Sequence, residues 1–150
     1  MPQTRLLQLD LDTSVYGGCF DAEFELESNR LIERIRDGLA IVILSELVIQ
    51  ELAHSPPNVR ALANSLSPEL RIFVPLGEDA TSLRDRYVAA GIVRARSRND
   101  ATHVALATVA RADALVSWNF KDIVRLDKMR GYNEINVASG YSHLQIVSPQ

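Results

Sequence analysis

The arrangement of apolar residues limits this chain more than any other feature: short runs rich in Val, Ile, Leu or aromatics alternate with stretches of helical spacing. The runs are LLQLDL (6–11), LAIVIL (39–44), LRIFVPL (70–76), ALVSW (114–118) and HLQIVS (143–148). Such alternation builds an α/β sheet. LAIVIL shows no polar alternation, which suits a parallel strand covered by helices on both faces. A mostly parallel sheet of about five strands is therefore predicted, and 150 residues are enough for one domain, spanning 1–150, to bury its core without disulfides.

Punctuation places the helices. Asp21 to Asp37 carries Phe24, Leu31, Ile32 and Ile35 at helical spacing and is closed by Gly38. Ser45 caps a helix through Glu46, Leu47, Glu51 and Leu52, which Pro56 and Pro57 end; a short helix with Val59, Leu62, Ala63 and Leu66 follows. Asp79 to Ala90 is closed by Gly91, and Asn99 is the expected cap of an Ala-rich helix over Asp100 to Arg111. Asp122 to Tyr141, interrupted by Gly131 and Gly140, shows no clear period.

Sixteen Lys and Arg against nineteen Asp and Glu give a net charge of −3, which argues against a protein that simply neutralises a DNA backbone. The lone Cys19 cannot form an internal disulfide and points to a reducing, cytoplasmic setting. MPQTRLLQLDLD is unlike a signal peptide, and no apolar run approaches the ~20 residues of a membrane span, so no membrane partner is expected.

In a parallel α/β sheet ligands bind beyond the carboxyl ends of the strands, so acids at strand-to-helix junctions carry most weight. Asp12 ends the first run; Glu51, with Glu46 before it, lies on the helix after the second; Asp100 opens the Ala-rich helix; Asn119 and Asp122 follow the fourth. An acid in a first helical turn also interacts well with the helix dipole, which alone accounts for Asp100 or Glu46. Glu51 shares a helix face with Leu47 and so needs a partner. If Asp12, Glu51 and Asp100 converge, a hard divalent cation, Mg²⁺ or Mn²⁺, relieves their repulsion; one Cys and scattered His do not suit zinc.

LDLDTSVY, the strand followed by SELVIQEL, NDATHVALATVARADALVSWN and the closing LQIVSP together resemble a PIN-domain ribonuclease of the VapC type, the toxin of type II toxin–antitoxin pairs. The resemblance spans essentially the whole chain and implies a PIN-like three-layer α/β/α sandwich. It also implies that Asp12, Glu51 and Asp100 are catalytic carboxylates that hold the metal. Asn119 takes a fourth position where many relatives have Asp, and Asp122 is an alternative occupant. Thr13 and Ser14 stand where a hydroxyl can orient the first carboxylate or a substrate oxygen. His103, one turn after Asp100, either faces the site or packs. Asp10 points to the same side of its strand as Asp12 and is read as the partner of another buried group.

The implied activity is metal-assisted hydrolysis of single-stranded RNA, leaving a 5′ phosphate and a 3′ hydroxyl. The implied partners are RNA, a cognate antitoxin and a second copy in a homodimer. Arg94, Arg96 and Arg98, just before Asp100, are candidate contacts to the RNA backbone, with Lys121 and Lys128 on the other flank. Trp118 either stacks a base or belongs to the core. Two other readings compete. In a haloacid-dehalogenase-like phosphatase Asp10 is the nucleophile and Asp12 the acid/base; in a catalytically degenerate PIN-like binding protein, Asn119 marks lost chemistry.

Overall fold

In the computed structural model, which describes residues 6–150, each apolar run supplies one strand of a single sheet. The strands are β1 (Leu7–Leu11), β2 (Ala40–Ser45), β3 (Arg71–Val74), β4 (Ala114–Val116) and β5 (Ile146–Val147). They lie in the order β3-β2-β1-β4-β5, with every pairing parallel. Residues 1–5, part of the N-terminal stretch considered above, lie outside the described residues.

Among the described residues seven α-helices cover the sheet: α1 (Thr13–Gly18), α2 (Glu25–Arg36), α3 (Glu46–Ala53), α4 (Pro57–Asn64), α5 (Glu78–Ala89), α6 (Arg98–Val109) and α7 (Leu126–Ala138). Strand alternation divides the core between two faces. Leu11, Val42 and Val116 pack with Val15, Ile32, Ile35, Val48 and Leu52 in the α1–α4 layer. Leu115 and Ile146 pack with Leu83, Tyr87, Val104, Leu106 and Tyr132 in the α5–α7 layer. Ala101, Ala105 and Ala107 of α6 are fully buried, which lets its backbone approach the sheet closely. No helix among the described residues is long and apolar enough to cross a membrane.

Local chemistry explains the agreements and the differences. Ser45 caps α3 by accepting from the Val48 N–H at 3.1 Å. Gly38 and Gly91 follow α2 and α5 with φ of 80° and 77°, a conformation that suits glycine. Asn99, expected as a cap, instead lies inside the first turn of α6. The chain already curls in a 3₁₀ turn over Ala95–Ser97 that runs straight into the helix, so α6 starts at Arg98. Gly131 does not break α7; a Cβ there would meet Ile92 Cδ1 at 2.5 Å, so the glycine permits a close approach. Trp118 is core: 6% exposed, stacked on Phe24 at 4.3 Å, and donating from Nε1 to Ser28 Oγ at 2.7 Å.

Gly18 faces that Trp118–Ser28 pair. A Cβ on Gly18 would lie 2.5 Å from Ser28 Oγ and 2.8 Å from Trp118 Nε1. Gly18→Ala is expected to destabilise the protein by about 1–3 kcal/mol, as overpacking does. Urea unfolding followed by the fluorescence of the single tryptophan measures it, with a shifted native emission as the indole loses its bond.

Candidate active site

From β1 the chain moves to β2 and β3 on one side, then returns to lay β4 on the other, which makes the carboxyl ends of β1 and β4 a topological switch point. Asp12 leaves β1 there. Its N–H donates to Val116 O at 3.1 Å, which ties it to the end of β4. Its side chain caps α1, with Oδ1 accepting from Ser14 N at 3.1 Å and Ser14 Oγ at 2.5 Å. Oδ2 accepts from Ser117 Oγ at 2.5 Å, so a carboxylate only 4% exposed has both oxygens bonded.

Ser14 and Ser117 pass this order along. Ser14 Oγ accepts from Trp118 N at 2.9 Å, and Ser117 Oγ accepts from Asn119 N at 2.9 Å. Asn119 then folds over the next turn. Its Oδ1 accepts from the N–H groups of Lys121 and Asp122, and its Nδ2 donates to Asp100 Oδ1 at 3.0 Å. Asp100 reaches the same edge from the first turn of α6. Burial, most of all, pushes its carboxyl up to about 6; the charges of Asp122 and Asp12 add to the rise, and His103 opposes it.

Glu51 comes from α3. Thr13 Oγ1 donates to its Oε1 at 2.7 Å, and His103 Nε2 lies 2.7 Å from the same oxygen. Burial is the largest single influence on Glu51 and opposes ionisation, yet the bonds from His103 and Thr13 and the charge of His103 outweigh it, and the carboxyl sits below its usual range. For His103, burial favours the neutral ring, but Glu51, Asp12 and Asp10 together overcome it and raise its pKa.

The structure thus brings Asp12, Thr13, Ser14, Glu51, Asp100, His103, Asn119 and Asp122 to one edge. His103 faces the site and is also packed. The acids share that edge without sharing a point: among the described residues no three His, Cys, Asp or Glu side chains are spaced to hold a metal ion as they stand. Glu46 belongs elsewhere, accepting from Leu76 N at 3.2 Å after β3. Lys128 is tied into the fold through Ile92 O. Arg94, Arg96, Arg98 and Lys121 are exposed, with Arg98 3.5 Å from Asp85. Two residues escaped the sequence reading. Ser117 orients Asp12, and its only signal was a hydroxyl ending a strand. Phe120 is 46% exposed beside Asn119, its ring 6.1 Å from that of Trp118.

No family model matches the chain, and no curated protein matches it significantly in sequence. Solved structures do match it. A chain of Rickettsia felis VapBC2, determined bound to a DNA fragment from its promoter, superposes with a TM-score of 0.59 at 12% identity, covering 95% of this chain and 98% of that one. Mycobacterium tuberculosis VapC20, a Sarcin-Ricin loop cleaving toxin, gives a TM-score of 0.58 at 16% identity over 91% of this chain and 98% of its own. The chain is therefore a three-layer α/β/α sandwich around a parallel five-stranded sheet. More particularly, this is the PIN-like fold of VapC toxins.

The Asp100 carboxyl, near 3.8 when unfolded and about 6 when folded, binds its proton more readily in the folded protein. The stability held by its protonated form is full below pH ~4 and lost as pH rises through ~6. Asp100→Asn is expected to raise the melting temperature of chelator-treated protein by roughly 2–4 °C above pH 7. The gain should shrink towards pH 4 in a thermal melt series.

Proposed function

We propose that this chain is a metal-dependent endoribonuclease of the PIN type that hydrolyses single-stranded RNA as the toxin of a toxin–antitoxin pair. The observation that carries the reading is the gathering of Asp12, Glu51 and Asp100, from three separate elements, at the switch point of this fold.

The donor chemistry suits a hard divalent cation. The acids at this edge offer oxygens, and the lone thiol, Cys19, is buried in the α1–α4 layer facing Val15 O. Asp100 is held against the negative charges of Asp122 and Asp12, a repulsion that a cation relieves. Asp12, Glu51 and Asp100 would hold Mg²⁺ or Mn²⁺, which when bound supplies Lewis acidity towards a phosphate oxygen and lowers the pKa of water. Ser14 and Ser117 keep Asp12 in one orientation, and Thr13 and His103 do the same for Glu51. Asn119 Nδ2 holds one oxygen of Asp100 and a side-chain hydrogen bond links the carboxyl to Asp122, so Asp100 is placed to orient the attacking water and take its proton. Asp100 suits this task better than Glu51, because burial and its acidic neighbours raise its proton affinity while His103 lowers that of Glu51.

A polymeric substrate needs an open edge flanked by positive charge. Arg94, Arg96 and Arg98, leading into Asp100, and Lys121, following Asn119, supply contacts to the RNA backbone. Phe120, and not the buried Trp118, offers a face for base stacking. A concavity of about 630 Å³ along α2, lined by Leu26, Asn29 and Arg30, contains none of the clustered acids. The antitoxin and the homodimer partner are proposals carried by the fold's VapC likeness. The phosphatase alternative needs Asp10 to attack phosphate, but Asp10 is 1% exposed within β1 and both its oxygens are buried. A catalytically degenerate protein remains an outcome of the test.

Purified protein is expected to cut single-stranded RNA with Mg²⁺ and to stop in excess chelator. Asp12→Ala should lower the rate at least about 100-fold, comparable to removing one transition-state contact. Inducible expression should arrest growth for the wild type and not for Asp12→Ala. Cleavage undiminished in chelator would contradict the metal reading; no cleavage by wild type would favour the degenerate protein.

A further inference from the structure

We infer that His103, backed by the buried carboxyl of Asp10, is a positioning residue that tethers Glu51 by one oxygen and turns the other towards the reacting centre. The inference deepens the nuclease reading and rests on it. Glu51 is a flexible side chain on α3, about one-third exposed, and both bonds that restrain it end on Oε1. A carboxylate only accepts, so the ring nitrogen facing it, Nε2, carries a hydrogen. The other ring nitrogen, Nδ1, is buried and unbonded, as are both oxygens of Asp10.

These unmet groups belong together. Asp10 stands in register with Leu115 of β4, whose side chain packs in the α5–α7 layer, so Asp10 faces that layer too. His103 enters the same layer from α6, and each residue acts electrostatically on the other. The remaining buried unbonded side-chain atom among the described residues, Tyr16 Oη, packs in the opposite layer, although the charge of Asp10 reaches it too. For packing alone an apolar residue would serve better at position 10, because an unbonded buried carboxyl costs stability. A carboxyl behind a histidine that holds a ligand-bearing acid fixes the ring's orientation, the role outer partners play at metal centres.

The test compares four variants in RNA cleavage with Mg²⁺ and in calorimetric binding of Mn²⁺. His103→Gln places an amide N–H near the position of Nε2 and preserves the tether; His103→Asn places one near Nδ1 and loses it. His103→Asn and Asp10→Asn are expected to lower kcat about 10–100-fold with little change in KM, and to weaken Mn²⁺ binding several-fold. His103→Gln should retain most of both, and Asp10→Asn added to His103→Gln should cost nothing further, since glutamine has no second ring nitrogen to orient. In the wild type, ¹⁵N NMR should show an imidazole Nε2–H protected from solvent, a readout that needs neither activity nor a refolded variant. Equal losses in the two His103 variants, an undiminished Asp10 effect in His103→Gln, or an unprotected Nε2–H would each overturn the inference. If wild type cuts no RNA the nuclease reading fails, while the Mn²⁺ affinities and the imidazole signal still decide the tether.

Discussion

A carboxylate buried at the end of the central strand is the constraint on which the rest of this structure depends. Asp12 is nearly sealed from solvent, and an unsatisfied carboxylate in that position would cost several kcal/mol. The chain meets the demand with two serine hydroxyls and a helix N-terminus. Those donors are themselves fixed by the ends of β1 and β4, so the strand order that builds the sheet also builds the shell of Asp12. From Ser14 and Ser117 the bonds run on to Trp118 and Asn119, and from Asn119 to Asp100. Satisfying one buried acid thereby positions a second, delivered by a helix from the other side of the sheet.

The strands could be read from the sequence because each is an almost unbroken apolar run, and a buried parallel strand leaves no other pattern. Helix ends were readable where a single residue sets them, as at Ser45, Gly38 and Gly91. α1 was missed because TSVYGG is a short segment with two glycines, and it forms as a helix because Asp12 caps it. α7 was obscured by Gly131, whose role is contact with Ile92 and not chain reversal. Asn99 looked like a cap by residue type, but the 3₁₀ turn before it had already begun the helix.

Within the site, the acids stood out because they fall where strands hand over to helices. What escaped notice depends on contacts between distant segments. Ser117 is one hydroxyl at a strand end until Asp12 is placed opposite it, and no spacing rule links His103 to Glu51. The net charge of −3 is not spread evenly over the molecule. Acids are drawn together at the edge, where a cation is suited to balance them, while Arg94, Arg96 and Arg98 stay exposed on the approach. Overall charge governs long-range attraction to nucleic acid, but local charge decides where a phosphate settles.

The central claim is that the acids around Asp12 form a site for a divalent cation in the folded protein. Thermal unfolding of metal-free protein across a Mn²⁺ titration tests it most directly, because a ligand that binds only the folded state stabilises it by RT ln(1 + [L]/Kd) and so raises the melting temperature as its concentration passes Kd. The account predicts a rise that continues with the logarithm of Mn²⁺ concentration for the wild type and almost none for Asp12→Asn. No rise in the wild type, or an equal rise in both proteins, would contradict it.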